Sequence, residues 1–527
     1  MTLLAPTPPA PSPPPVDPPD ARPPRALAAL GGVVAAGVGL AAGDVVAGFD
    51  RSWRSPVVAV GDRFIDVVPP PVKDLAIQLF GTNDKIALIV GILSVLAVVA
   101  ALLGLRAFRR DLRWGLGGAA AFAAIGAVAA LRAPTGDLSS TVPSLVAGLS
   151  CEAAFVALAR LGARRTPGRG GPTVVITDRR RFLVGLGVGA AIVAGGAAVG
   201  KALRTSAAVT AERLALVLPG ARRPLDALPA GLEGEIPGLT PLVVPNRDFY
   251  RIDTALTVPS VTVADWTLRI HGMVGREVEL TFDDLAGRAL IETDVTIACV
   301  SNEVGDDLVG NARWLGVRLD DLLAEAGIDG DADQIVGRSV DGWTAGFPVS
   351  VLDGRDAIVA IGMNGEPLPV EHGYPARLVV PGLYGYVSAT KWLTEIELTR
   401  FDRFEGYWVP RGWSAEGPIK TQSRIDVPRR RSPVGSVPIA GVAWAGDRGL
   451  RMVEVQVDDG PWREAELGIA LADTTWRQWH LAWDATPGRH RLRVRATDGA
   501  GDTQVEERRA VAPDGATGWH TVGVEVS

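Results

Sequence analysis

The chain has 527 residues, a formal net charge of -6 and 47% hydrophobic residues. That length holds several domains, and the acidic balance offers no basic surface of the kind a nucleic-acid partner needs. The two cysteines, Cys151 and Cys299, fall in an apolar stretch and in the polar half, so no disulfide framework is indicated.

Residues 1–25 are Pro-rich, with Pro13-Pro14-Pro15 and Pro23-Pro24. A segment of that composition cannot build a core and reads as a disordered tail. Residues 26–203 then carry five apolar stretches, at 26–49, 86–107, 114–131, 144–161 and 182–203. A bilayer span takes roughly 20 mostly apolar residues. The first, second and fifth stretches meet that length, while the third and fourth are shorter and Ala-rich. Glu152, inside the fourth, reads either as a residue facing neighbouring helices or as an intramembrane carboxylate with a role.

Arginine placement sets the expected topology. Arg106, Arg109, Arg110 and Arg113 crowd the second link, and Arg160, Arg164, Arg165, Arg169, Arg179, Arg180 and Arg181 crowd the fourth. Positive links stay in the cytoplasm, so five spans with the N-terminus inside leave everything after about residue 204 outside. The first link carries Arg and Lys as well, interleaved with Asp62, Asp66, Asp74 and Asp84. At the entrance to the fifth span, Arg179-Arg180-Arg181-Phe182-Leu183 has the form of a twin-arginine export signal, or of an ordinary positive flank.

Residues 204–244 contain Pro219, Pro224, Pro229, Pro237 and Pro241 and read as a linker. Residues 245–425 mix helix and strand patterns: 320–327 predicts a short helix, 334–340 and 376–380 predict strands. In residues 426–527, Val453, Val455 and Val457 alternate with Glu454, Gln456 and Asp458, and Leu492, Val494 and Ala496 alternate with arginines. Period-two alternation marks half-buried strands. About one hundred residues of it, with turn signals at Gly446–Gly449 and Asp459-Gly460, suit an immunoglobulin-like β-sandwich.

Cys299 ends the apolar run Thr296-Ile297-Ala298 and precedes the polar Ser301-Asn302. By itself it reads equally as a buried structural cysteine or as a soft metal ligand. Downstream of it stands an ordered series: Asn311-Ala312-Arg313-Trp314, Asp341-Gly342-Trp343, Met363-Asn364-Gly365-Glu366-Pro367, His372-Gly373-Tyr374-Pro375-Ala376-Arg377, Tyr384-Gly385-Tyr386 and Lys391-Trp392. Segment after segment, this resembles the molybdopterin domain of the sulfite oxidase family. The resemblance continues into Val453-Glu454-Val455 and Gly515-Ala516-Thr517-Gly518-Trp519-His520, which look like that family's C-terminal dimerisation domain.

Beyond the five-helix membrane region read from the apolar stretches, the resemblance implies a multidomain protein with an α+β molybdopterin domain and the β-sandwich, through which a homodimer would form. It implies a molybdenum–molybdopterin cofactor with Cys299 as the metal ligand. It implies His372, Arg377 and Lys391 at the pterin phosphate, where an arginine gives a charge-assisted, bidentate contact and a lysine a point charge. Asn246, Phe249, Tyr250 and Asn302 are further cofactor-binding candidates. Acquiring such a cofactor before export requires a folded cargo, which supports the twin-arginine reading.

One departure bears on substrate. Sulfite oxidisers of the family follow the cysteine with Ala-Gly-Asn-Arg-Arg; here Val300-Ser301-Asn302-Glu303-Val304 keeps the asparagine and lacks both arginines. Arg251 and Arg313 are the candidates to replace their charge. No histidine precedes His271 and no methionine lies between Met1 and Met273, so the membrane region offers no haem ligands. Electrons are then expected to come and go through a separate carrier. The expected function is a membrane-anchored, extracytoplasmic oxidoreductase transferring an oxygen atom to or from a small substrate. The substrate is an oxyanion such as sulfite, or an S- or N-oxide if the reaction runs in reverse. A non-catalytic membrane-bound binding or scaffold protein of the same fold is the alternative from another class.

Overall fold

The computed structural model describes residues 22–50, 53–68, 72, 79, 84–133, 136–168, 171–204 and 207–527. The Pro-rich stretch before residue 22 lies outside them. The chain divides into two compact units between residues 204 and 205.

The first unit is helical: α1 (Arg25–Ala47), α2 (Pro56–Val67), α3 (Asp84–Arg109), α4 (Arg113–Leu131), α5 (Val142–Gly162) and α6 (Arg179–Arg204). Five of these six, all but α2, are long and apolar enough to cross a membrane. Where every surrounding surface is apolar, helices associate through close packing at small residues. Here α1 packs against α3, α5 and α6 in that way. A Cβ on Gly32 would lie 2.8 Å from Gly104 Cα, and one on Gly39 would lie 2.5 Å from Ala147 O, so only glycine permits these approaches. Phe108 anchors the other side, with ring centroids 5.5 Å from Phe155 and 5.4 Å from Phe182. Glu152 is half-buried. Two elements of this unit go beyond the sequence expectation. α2 interrupts the first link, started by Ser55, whose hydroxyl accepts from Val58 N–H, and by Pro56 at the first helical position. The arginine-rich link before α6 forms an antiparallel hairpin, β1 (Ala163–Gly168) with β2 (Gly171–Thr177). Asp178 then starts α6, its carboxylate accepting from Arg181 N–H at 3.2 Å.

The second unit opens with α7 (Ala207–Ala215). Its α+β part holds β3 (Thr267–Gly272), β4 (Val278–Thr281), α8 (Phe282–Ala286), β5 (Leu290–Ala298), β6 (Val309–Arg318), α9 (Leu319–Ala326), β7 (Gln334–Ser339), β8 (Thr344–Pro348), β9 (Ile358–Met363), β10 (Glu366–Pro367), β11 (Arg377–Val379), α10 (Gly385–Ser388) and β12 (Leu393–Thr399). One sheet runs β10-β9-β6-β5 with β11 on β9; the other runs β4-β3-β12-β7-β8, with β3 and β12 parallel. The runs IVAIGM in β9 and LIETDVTIA in β5 are buried almost throughout, because helices and loops cover both faces. Trp266, Trp314, Leu268, Ile335, Leu378 and Ile396 centre the core. Residues 207–244 of the expected linker 204–244 pack onto it: Val209 and Val244 are core members and Leu216 and Leu218 lie against it.

Beyond these lie β13 (Gln422–Val427), β14 (Arg431–Ser432), β15 (Gly435–Trp444), β16 (Leu450–Val457), β17 (Trp462–Glu464), β18 (Glu466–Leu467), β19 (Arg477–Ala485), β20 (Gly488–Asp498) and β21 (His520–Val526). They form two sheets, β13-β15-β19-β18 and β14-β21-β20-β16-β17. Val453 and Val455 of β16, Leu492, Val494 and Ala496 of β20, and Ile439, Trp479 and Leu481 from the facing sheet share one core. The alternation legible in the sequence thus points its apolar half inward. The segment before β19 also covers the open edge of β5: Thr474 Oγ1 donates to Asp294 O at 2.6 Å and Trp476 N–H to Thr296 Oγ1 at 2.8 Å. Covering an edge removes a row of unpaired backbone groups.

Candidate molybdopterin site

Cys299 sits immediately past the end of β5, where the buried strand gives way to a tight turn. Its backbone N–H donates to Leu308 O at 2.9 Å, and Asn302 Oδ1 accepts from Leu308 N–H at 2.8 Å, closing the loop. Gly305 in this loop has φ +94°, and a Cβ there would meet the His520 ring at 2.4 Å, so the turn requires glycine for both backbone and space. The Cys299 thiol is buried, and burial pushes it up; hydrogen bonds from the Ser301 backbone and hydroxyl oppose that by favouring the thiolate.

The thiol lines a cleft together with residues from five further segments. The segment 249–254 contributes Phe249, Tyr250 and Asp253, and the loop after β7 contributes Asp341 and Trp343. His372 and Arg377 come from the turn into β11, Lys391 and Trp392 from the turn into β12, and Trp408 and Trp413 from beyond β12.

The turn that carries His372 is built from Pro369, a single helical turn at Val370–His372, and Gly373 at φ +111°. A Cβ on Gly373 would lie 3.1 Å from both Lys391 Cα and Arg377 Cβ, so this glycine lets the two basic residues approach. Trp392 Nε1 donates to Val370 O at 2.7 Å and Leu378 N–H to Thr390 O at 2.9 Å, locking the two turns together.

The charges at this end are unusual. Arg377 is 5% exposed. Its Nη1 donates to His372 O at 3.1 Å and its Nε to Leu378 O at 3.3 Å, and the guanidinium lies 5.0 Å from the Trp314 ring centroid. Among the described residues no carboxylate pairs with it. Burial pulls its pKa down to about 10. Lys391 is buried too and drawn down to about 8, although Asp253 lies 2.9 Å from its Nζ. His372 falls to about 3, through burial first and then the positive charge of Arg377 and Lys391. It is neutral, with Nε2–H donating to Asn246 O at 3.2 Å. A buried cation held only by neutral groups is costly, and a bound anion relieves that cost. The donor set fits the phosphate of a pterin at this end and a thiolate-bound metal at the Cys299 end.

The structure brings Phe249, Tyr250, Cys299, His372, Arg377 and Lys391 together in this cleft. The other sequence candidates are not among the lining residues. Arg313 is bound to Asp294, Nη2 to Oδ2 at 2.8 Å and Nε to Oδ1 at 2.9 Å, because β5–β6 register sets the two residues directly opposite. Arg251 pairs with Asp253 at 2.7 Å and is outside the lining. The Asn246 side chain binds Met363 O and Asn364, and the Asn302 side chain closes the cysteine turn, so neither lines the cleft. Asn246 still touches the site through its carbonyl on His372. Lining residues absent from the sequence candidates include Asp253, Ser301, Ser339, Trp343, Tyr386, Trp408 and Trp413. The tryptophan spacing after Lys391 was the available signal for the last two.

Residues 255–408 match the family model described as oxidoreductase molybdopterin binding domain. The chain is 34% identical over 152 residues to the uncharacterized oxidoreductase YuiH of Bacillus subtilis (strain 168), covering 29% of this chain and 74% of that one. This chain belongs to the sulfite-oxidase-type molybdopterin-dependent oxidoreductase family. It is 28% identical over 342 residues to mitochondrial sulfite oxidase of Mus musculus, covering 54% of this chain and 62% of the relative's own length. Among solved structures, the sulfane dehydrogenase SoxCD of Paracoccus pantotrophus matches with a TM-score of 0.48 and 24% identity, covering 54% of this chain and 81% of that one.

Proposed function

We propose that the chain is a membrane-anchored molybdenum-cofactor enzyme that removes an oxygen atom from a neutral S- or N-oxide, using two electrons and two protons and releasing water. One observation carries the cofactor assignment: a buried arginine with no carboxylate partner among the described residues, flanked by His372 and Lys391, shares a cleft with a buried cysteine. When bound, the cofactor supplies the two-electron oxygen-atom chemistry; the protein supplies the ligand, the pocket charge and the exclusion of water.

The substrate reading rests on the rest of the lining. Besides Arg377 and Lys391, assigned here to the phosphate, the lining holds Ser301, Trp343, Tyr386, Trp408 and Trp413, with Asp253 and Asp341 as carboxylates. The two arginine candidates that would hold an oxyanion are bound to Asp294 and Asp253. Aromatic walls beside a carboxylate favour an uncharged, methyl-bearing substrate over a dianion. Tyr250, whose hydroxyl burial keeps protonated, supplies a neutral donor in the cleft. A panel of sulfite, sulfoxides and N-oxides, assayed with dye donors and acceptors, tests this. Turnover of an oxide with a reduced dye is the expected result; sulfite oxidation with no oxide reduction would reverse the assignment.

The helical unit is read as the membrane anchor, with the N-terminus inside and residues beyond 204 outside, exported through Arg179-Arg180 as a twin-arginine signal. Replacing both by lysine preserves the positive flank while removing the pair. The expected result is loss of exported, cofactor-loaded domain, measured by protease accessibility on spheroplasts. Unchanged export would leave these arginines as topological charge alone. The C-terminal pair of sheets is read as an immunoglobulin-like sandwich and as the face for a second copy.

A further inference from the structure

The helical unit contains a cavity of its own. It is walled by α1, α2, α3, α4 and α5, through Leu40, Val60, Leu96 and Phe122 among others. The Ser144 hydroxyl and the Cys151 thiol are the polar side-chain groups of its lining. Ser144 is 1% exposed, and its hydroxyl has no hydrogen-bond partner among the described residues. A serine in a helix ordinarily satisfies its hydroxyl on a carbonyl of the preceding turn, and an unsatisfied buried hydroxyl is costly. Opposite it stands Gly126, where a Cβ would lie 2.6 Å from Ser144 Oγ. The missing side chain on α4 is what admits the hydroxyl at this distance, and Ser144 is among the residues that line the cavity.

The shape and chemistry define the ligand. It is apolar, reaches the site from a bilayer and carries an oxygen that accepts one hydrogen bond. The chain has no histidine before His271 and no methionine between Met1 and Met273, so this unit has none of the histidine or methionine ligands that haem ordinarily takes. A two-electron enzyme at a membrane still needs an electron carrier, and a quinone is an apolar, membrane-soluble two-electron carrier with carbonyl acceptors.

We propose that this cavity binds the ring of a membrane quinone, with the Ser144 hydroxyl donating to one ring carbonyl. The proposal rests on the reading of the chain as a membrane redox enzyme and names its electron partner. The test uses the full-length protein in phospholipid nanodiscs, titrated with a decyl-substituted benzoquinone by equilibrium dialysis. Saturable binding of one quinone per chain is expected. Ser144→Ala removes one hydrogen bond and should weaken binding about 3- to 10-fold. Ala123→Leu enlarges a side chain of the lining and should abolish it. Molybdenum and pterin content and dye-linked turnover, measured on the same samples, should be unchanged, which separates failure of this inference from failure of the enzyme assignment. Absence of saturable binding to the parent protein, or equal affinity in folded Ser144→Ala protein, would overturn the proposal. So would displacement of the quinone by phosphatidylglycerol at comparable concentration, which would make the cavity a lipid site.

Discussion

Replacing Arg377 by alanine is expected to yield folded protein that has lost most of its pterin. The guanidinium is fully buried, reaches no carboxylate among the described residues and is held by two backbone carbonyls and the face of Trp314. Hydrogen bonds to a charged group contribute about 1.5–3 kcal/mol, so retention should fall roughly 10- to 150-fold. The fold should survive, because an uncompensated buried cation is itself destabilising; the melting temperature of cofactor-free protein should stay level or rise. Arg377→Lys keeps the charge but loses the planar fork, and should hold an intermediate amount of pterin. Pterin is read by fluorescence after release and oxidation, on the samples used for melting. Full pterin occupancy in Arg377→Ala protein would remove this residue from the phosphate end.

The cleft also explains why some of it was legible in the sequence. Cys299, His372, Arg377 and Lys391 stand in short motifs whose spacing is set by local turns, such as Gly373 at φ +111° between the histidine and the arginine. Local geometry of that kind survives as a pattern along the chain. Arg313 carried a motif too, but its role depends on a partner across the β5–β6 ladder, Asp294, nineteen residues away. Register is not visible until the strands pair. Arg251 is similar: Asp253 binds it and also Lys391, so one carboxylate decides two charges.

The same distinction holds for the fold. The five long apolar helices and the alternating strands β16 and β20 followed directly from periodicity and composition. α2 did not, since Asp62, Arg63 and Asp66 break an apolar run that proline and Ser55 nevertheless start as a helix. Residues 204–244 read as a linker because of their prolines, yet the segment is tied down by contacts far along the chain. Glu212 accepts from the Tyr374 hydroxyl at 2.7 Å and from Val263 N–H at 2.8 Å. Arg213 Nε donates to Leu368 O at 2.8 Å. Two of these contacts, on Leu368 and Tyr374, flank the turn that carries His372, and nothing in the local sequence announces them.

Cys299→Ser tests the cofactor assignment most directly. The two side chains differ by one atom, and on the proposed assignment Phe249, His372, Arg377 and Lys391 would still hold the pterin, so the protein should fold and keep most of it. The hydroxyl is a harder, less electron-donating ligand than a thiolate, so the metal's redox balance shifts. Turnover should therefore collapse, by several orders of magnitude, at near-normal pterin content. If Cys299 were only a buried structural residue, the substituted hydroxyl would cost about 1–3 kcal/mol of stability and leave activity per folded molecule intact. Melting temperature, pterin content and turnover measured on one preparation distinguish these outcomes: lost turnover with retained pterin and an unchanged melt is the predicted result, and near-normal turnover in folded Cys299→Ser protein would contradict it.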